Sequence, residues 1–443
     1  LRHLTPEERL AATALSRDEA TGLLDVEAFS HVAADRVRTM AAQGVETEVS
    51  FLDLGGYAEI SQRLDEHTRA ELEKAIGEQV RSQSLGGDTA TAVGAGRFSL
   101  VHAAGADLSG LGEHVRKLTA KADPKGRGAE VQTASMGTAG ATGVSEEDLA
   151  RGLLYTLNEF RSEESGHLTL DKLTSNLGDL VGKAADQVSH FKTMVQDGLF
   201  DVVLHPIVDL GRGDIHHFEA LCRFQDLGDN VSPYRTITFA EDTGMIHEFD
   251  LAMAKKVVAW LRKMPVNADR YRVAVNVSGH SVSQPSYVEG LHKLLDAEEW
   301  TAGRLMFEIT ESARMSDLDS ANQFIQNLRR RGYHVCLDDF GAGAASFQYL
   351  STLEVDVVKL DGSAVRNARN AKKGRAFLSA LTELCRRLGV ETIAEMIDDE
   401  EGLRFVRDCG VDYVQGYIFG KPSRNLKDFS PLPNAAALRR LRT

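Results

Sequence analysis

RLMFEIT at 304–310, HVCLDDF at 334–340 and VDVVKLD at 355–361 decide the fold. Each is an apolar run of strand length that ends on charge: Glu308, then Asp338 and Asp339, then Lys359 and Asp361. The pattern recurs on both sides. HHFEALCRF (216–224) carries Glu219, RVAVNVS (272–278) carries Asn276, ETIAEM (391–396) carries Glu395 and DYVQGYIF (412–419) carries Gln415. Charge inside an apolar strand is costly unless it is paired or binds a metal. Packing accounts for one such residue, but not for its return in run after run. The repetition points to a single acidic, oxygen-rich site at one end of a strand-and-helix repeat.

Between these runs the apolar spacing turns helical, at 248–264, 287–296, 318–332, 377–389 and 400–410. Strand and helix alternating from Leu199 to about Pro433 predict an α/β fold, a TIM-like (β/α)8 barrel whose strand ends converge on one mouth. Residues 16–170 read differently. Strands at 48–54 and 131–139, a hairpin turning on 94–96, an amphipathic helix over Ile60–Ser82 and a Ser145 N-cap predict an α+β domain. From Leu170 to Gln196 apolar residues recur at three- and four-residue steps, which predicts a long helix. The expected divisions are therefore 16–170, a linker helix at 171–198 and a barrel at 199–436.

A net charge of −14 argues against a surface for duplex nucleic acid. Four cysteines, Cys222, Cys336, Cys385 and Cys409, lack CxxC spacing and read as reduced core residues of a cytoplasmic protein. The chain begins at Leu1 rather than Met, so an upstream sensor or membrane tether is expected to be missing.

Glu219, Asn276, Glu308, Asp338, Asp339 and Glu395 offer oxygen ligands, which suit Mg2+ or Mn2+ better than zinc. Successive residues of a strand point to different sides, so Asp338 and Asp339 can serve two ions. Two such ions clamp the attacking and leaving oxygens of a phosphoryl displacement. Lys359 would then act on a phosphate oxygen or the nucleophilic water, and Arg223 would hold a second phosphate. Spacing alone leaves Mg2+-assisted proton abstraction beside a carboxylate open. The pair His216 and His217 reads as strand residues, at least one of them outward, rather than as a metal site.

The motifs FEALCRF, FAEDTGMI (239–246), VNVSGHS, FEITES, LDDFGAG, VVKLDGS, TIAEM and YVQGYIFGKP, in that order, resemble the EAL phosphodiesterases, which open cyclic di-GMP. The resemblance implies hydrolysis to linear pGpG in a barrel whose first strand runs against the others. It also implies roles. Glu219, Asn276, Glu308 and Asp338 would hold one metal and Asp339 a second, with Glu395 close to both and their water. Lys359 would polarise that water. Gln415, Arg223, Asp361 and His205 would face substrate, and Glu311 would steady the loop after the paired aspartates. Departures stand at His205, where the family has Gln, in GAGAASF (341–347) and at Met396, where the family has Gly. Met396 is expected to add bulk beside the metals and lower turnover. A barrel that binds cyclic di-GMP without cutting it, and signals to a partner protein, is the alternative.

Residues 16–170 resemble the GGDEF cyclase fold through EATGLLDVEAF (19–29) and GAGRF (94–98). Gly96 and Arg97 replace the acidic residues of the signature, Gly55 replaces one member of an early Asp pair that keeps Asp53, and Leu85 replaces the arginine of an inhibitory motif ending at Asp88. The resemblance implies a regulatory or homodimerising domain without cyclase chemistry, with GTP binding still compatible.

Overall fold

The structure, a computed structural model, describes residues 16–18, 20–138, 144–162, 177–225, 233–264, 272–310, 318–341 and 346–441. The chain divides into two compact units, one up to Lys192 and one from Thr193.

In the first unit, α1 (Val26–Ala42), β1 (Thr47–Gly55), α2 (Tyr57–Ser61), α3 (Glu66–Gln83), β2 (Ala90–Gly94), β3 (Arg97–Ala103), α4 (Ser109–Ala122), β4 (Glu130–Gly137) and α5 (Glu146–Ser162) follow in order, and α6 (Leu177–Gln196) begins in this unit and ends in the second. The four strands pair antiparallel in the order β2-β3-β1-β4. Alternation along β1 makes two cores. Val49 and Phe51 pack with Phe29, Val37, Leu153 and Leu157 of α1 and α5. Leu52 and Leu54 pack with Ile76, Val80 and Val115 of α3 and α4. The expected α+β domain is therefore present, and Ser145 caps α5 by accepting from the Asp148 N–H at 3.1 Å. One expectation fails. The helix read over Ile60–Ser82 is two, because Asp65 accepts from the Thr68 N–H at 2.8 Å and restarts the chain as the N-cap of α3. Apolar periodicity ran on across that break and hid it.

In the second unit, β5 (Phe200–Asp209) and β6 (Ile215–Phe224) are followed by α7 (Tyr234–Asp242), α8 (Ile246–Arg262), β7 (Val273–Val277), α9 (Gly279–Val282), α10 (Pro285–Ala297) and β8 (Leu305–Thr310). Then come α11 (Leu318–Arg330), β9 (His334–Phe340), α12 (Ser346–Thr352), β10 (Val357–Leu360), α13 (Gly362–Asn370), α14 (Gly374–Leu388), β11 (Glu391–Ala394), α15 (Glu400–Asp408), β12 (Tyr413–Gln415) and α16 (Ala435–Leu441). The eight strands close into a barrel in the order β10-β11-β12-β5-β6-β7-β8-β9. Only β5 runs against its neighbours, pairing antiparallel with β6 and β12 while the other pairs are parallel. Ile207, Ala274, Met306, Cys336, Val357, Ile393 and Tyr413, one from each of seven strands, form a buried apolar layer inside it. All four cysteines are buried and free, as the sequence suggested. Among the described residues no helix is long and apolar enough to cross a membrane.

Candidate active site

Two residues along each strand from that layer, the side chains turn polar. His205, Glu219, Asn276, Glu308, Asp338, Lys359, Glu395 and Gln415 supply one group per strand. Period-two alternation puts seven of them on the same interior face as a residue of the apolar layer, and Glu219 on that of His217. Asn276 donates through Nδ2 to Glu219 Oε1 at 2.8 Å, and Gln415 through Nε2 to Glu219 Oε2 at 2.6 Å. Each of these bonds joins residues from different strands, so barrel closure is what assembles the ring.

Lys359 lies among the carboxylates. Its Nζ is 2.8 Å from Glu395, 3.0 Å from Glu308, 3.0 Å from Asp338 and 3.7 Å from Glu219, and its side chain is 1% exposed. Burial alone would drive such an ammonium to lose its proton. The surrounding carboxylates outweigh that and raise its pKa well above the ordinary lysine value. Burial and like charge act the other way on the acids. They push Glu308 well above the usual carboxylate range, Glu395 up to about 7 and Asp339 up to about 6. Glu219 resists burial and falls, because Lys359, Asn276 and Gln415 all favour its charged form.

The cluster is short of positive charge. Five carboxylates (Glu219, Glu308, Asp338, Asp339 and Glu395) face one ammonium, a formal −4 that two divalent ions would neutralise. Carboxylate oxygens of Glu219, Glu308 and Asp338 lie within 4.8 Å of one another, as do those of Asp338, Asp339 and Glu395. Two buried acceptors, Asn276 Oδ1 and Glu308 Oε1, have no hydrogen-bond partner. Orphaned acceptors beside excess negative charge fit hard cations. Asp339 has a left-handed backbone, φ 56°, and its N–H donates to Asp338 Oδ1 at 2.9 Å. Strain of that kind is held where function over-determines the chain.

The remaining expected residues are placed as follows. Arg223 shares the interior face of β6 with Glu219, and its Nη1 donates to the Cys222 carbonyl at 2.7 Å. His205 is paired across from Glu219 and lies 5.9 Å from the Tyr417 ring, with Nε2 buried and unpartnered. Asp361 has structural work, capping α13 by accepting from the N–H groups of Ser363 and Ala364 through Oδ1. Glu311 and residues 342–345 of the following loop lie outside the described residues. Sequence reasoning set His217 aside, yet it is fully buried inside the barrel with Nε2 3.8 Å from Glu308 Oε1. Its position two residues before Glu219 was the available signal.

Met396 takes a different form from the expectation of bulk at the metals. Its φ of 54° is the left-handed conformation that glycine adopts freely, and the residue is 58% exposed. The side chain lies over Gly362, where a Cβ would collide with it, and Sδ is 3.9 Å from Arg366. Met396→Gly therefore relieves backbone strain. Left-handed strain of ~1–2 kcal/mol, less the entropy glycine loses, leaves a gain of about 0.5–1 kcal/mol and a melting temperature a few degrees higher. Turnover should stay within about threefold of wild type, since this strain belongs to ground and transition states alike. A larger rise, measured on cyclic di-GMP, would show instead that the side chain obstructs substrate.

A barrel mouth with this donor set defines a candidate site for divalent metal ions, and the comparisons show the family. The family model described as EAL domain matches residues 189–422, and the chain belongs to the EAL domain family. The chain is 26% identical over 416 residues to cyclic di-GMP phosphodiesterase NbdA of Pseudomonas aeruginosa, covering 91% of this chain and 52% of that protein. It is 32% identical over 219 residues to cyclic di-GMP phosphodiesterase PdeB of Shewanella oneidensis, covering 49% of this chain and 26% of that protein. The chain thus spans about half or less of these relatives. Among solved structures, the FimX EAL domain of Xanthomonas citri in complex with c-diGMP shares the barrel fold at 22% identity. Its TM-score is 0.51, covering 55% of this chain and 96% of that one.

Proposed function

We propose that the second unit hydrolyses cyclic di-GMP to linear pGpG with two divalent ions, Mg2+ or Mn2+. The observation that carries this reading is the ring in which four carboxylates surround one buried ammonium, with Asp339 alongside and two unpaired acceptors. The relatives named cyclic di-GMP phosphodiesterase support the substrate.

Glu219, Asn276, Glu308 and Asp338 would hold one ion and Asp339 the other, with Glu395 next to both. Bound there, the ions supply Lewis acidity toward a phosphodiester and acidity toward water. Lys359 keeps its charge and draws the carboxylates of four strands together. Asn276 and Gln415 fix both oxygens of Glu219. Arg223, farther out on the same face of β6, presents a guanidinium to the phosphate that is not cut. Water adds to phosphorus, the P–O3′ bond breaks and the 3′ oxygen leaves with a proton, so the product keeps a 5′ phosphate. Incubating the purified protein with cyclic di-GMP and Mg2+ or Mn2+ should release pGpG, resolved by chromatography. Tight binding with no pGpG under either ion would replace the enzyme with a receptor, the reading that the departures at His205 and in GAGAASF (341–347) favour.

The first unit is read as a degenerate, non-catalytic GGDEF-like regulatory domain. Arg97 Nε lies 3.2 Å from Asp53, and Arg97 Nη1 donates to the carbonyls of Phe160 and Arg161 at 2.9 and 3.0 Å. A guanidinium thus sits on the carboxylate a cyclase would offer to Mg2+. At Gly96, φ 77°, a Cβ would lie 2.8 Å from Tyr57 Cβ, so the missing side chain does not fit back without movement. An Asp338→Asn chain, which should leave any cyclic di-GMP uncut, is expected to make none from GTP and Mg2+. Product above a no-protein control would overturn this assignment.

A further inference from the structure

Beyond the ring, a line of three side chains runs to Glu308. Arg272, just before β7, has Nη1 3.5 Å from His216 Nε2. His216 Nδ1 is 2.8 Å from His217 Nδ1. His217 Nε2 lies 3.8 Å from Glu308 Oε1, and neither of these last two atoms has a hydrogen-bond partner.

Proton positions along this line follow from its first member. Arginine has N–H donors and no acceptor, and it keeps its proton in proteins. His216 Nε2 must therefore be a bare acceptor. With Nε2 bare, His216 can hold its one ring proton only on Nδ1, the atom 2.8 Å from His217 Nδ1, so the ring is neutral by geometry alone. A neutral His216 with bare Nε2 carries its proton on Nδ1 and donates it to His217. That leaves His217 Nδ1 an acceptor and places its one N–H on Nε2, facing Glu308 Oε1. The opposite tautomers would keep the bond between the two Nδ1 atoms in reverse, but would set an N–H of Arg272 against an N–H on His216 Nε2 and turn the lone pair of His217 Nε2 toward a carboxylate.

The stacking of His216 on Tyr413, 4.2 Å between centroids and 12° between planes, holds the ring in this orientation. Glu308 Oε2 then accepts from Lys359 at 3.0 Å, while the imidazole N–H faces the unpartnered Oε1. At 3.8 Å the second contact is longer than a hydrogen bond, and contacts of this kind shorten when a site is loaded. We propose that Arg272, His216 and His217 form a relay of fixed tautomers that makes His217 a positioning residue for Glu308. The purpose of the relay rests on the two-ion reading above; its tautomers do not.

The test has two parts. In the metal-free full chain labelled with 15N-histidine, long-range 1H–15N correlation should find His217 as the Nε2–H tautomer and His216 as the Nδ1–H tautomer. Calorimetric titration with Mn2+ and no substrate should show His217→Leu weakened about 10–100-fold, the usual cost of losing a group that orients a metal ligand. His217→Gln, which restores an N–H near Nε2, should bind within about threefold of wild type, a rescue that a packing role would not produce. A proton on His217 Nδ1, or unchanged Mn2+ affinity in the leucine variant, overturns the relay. Should the leucine variant not fold, the tautomers in the wild-type chain still decide. Wild type that binds no Mn2+ sinks the two-ion reading and with it the purpose of the relay, whereas the tautomers are judged separately.

Discussion

Lys359→Met is expected to destabilise the metal-free chain by about 3–5 kcal/mol, the cost of stripping the partner from a buried ion cluster. In the second unit that corresponds to a fall in melting temperature of roughly 10 °C or more. The sign follows from the charges. Among the described residues Lys359, itself 1% exposed, is the cation paired with Glu219, Glu308, Asp338 and Glu395, at 2.8–3.7 Å. Methionine keeps the unbranched apolar stem as far as the Cε position and removes the ammonium. The carboxylates must then repel one another or take up protons. Excess Mn2+ should return much of the lost stability, because it brings the missing positive charge. Hydrolysis should not return. Even at saturating metal it should stay lower by ~10²-fold or more, the worth of a positioned charged donor in the transition state. Thermal melts with and without Mn2+, beside a pGpG assay, measure both halves. An unchanged melting temperature in EDTA would mean that the cluster is not held by Lys359.

Much of this site was legible because it obeys two simple rules. Charge is expensive in an apolar strand, and alternate residues share a face. Together they picked out Glu219, Asn276, Glu308, Asp338, Lys359, Glu395 and Gln415, and the barrel brings the seven to one ring. The second rule also covered His217, two residues before Glu219, but a histidine pair in a strand carries no charge cost to draw notice. Other features depended on geometry that periodicity does not carry. The break at Asp65 is a capping event inside an unbroken apolar pattern. Asp361 reads equally as a ligand or as a cap until α13 is seen to start after it. At Met396 the sequence showed a large residue where the family resemblance implies glycine. It could not show that the side chain turns onto Gly362 while the backbone keeps the conformation glycine would take.

Glu308→Gln should have the opposite effect on stability and an even larger one on chemistry. Burial and the charges of Glu219 and Asp338 raise the Glu308 pKa well above the usual carboxylate range. As pH climbs past that ordinary range, an unfolded chain gives up this proton while the folded chain retains it. The metal-free protein therefore loses stability as pH rises toward the folded value. Glutamine keeps the shape, still accepts from Lys359 and never ionises. The metal-free variant should melt at or above the wild-type temperature at pH 7 to 8, with a shallower decline as pH rises. Mn2+ should stabilise it less than wild type, since one anionic ligand is gone. Turnover should fall by about 10³-fold or more, the several kcal/mol of transition-state stabilisation that a correctly held metal supplies. Glu219→Ala and Asp338→Ala should likewise abolish hydrolysis, although Glu219→Ala costs stability by leaving the amide donors of Asn276 and Gln415 unpaired. Melting curves from pH 5 to 8 in EDTA and in Mn2+, with pGpG release at saturating substrate, separate these effects. A Glu308→Gln protein that turns over at the wild-type rate, or one that also melts well below wild type in EDTA, would show that Glu308 is not a strained metal ligand.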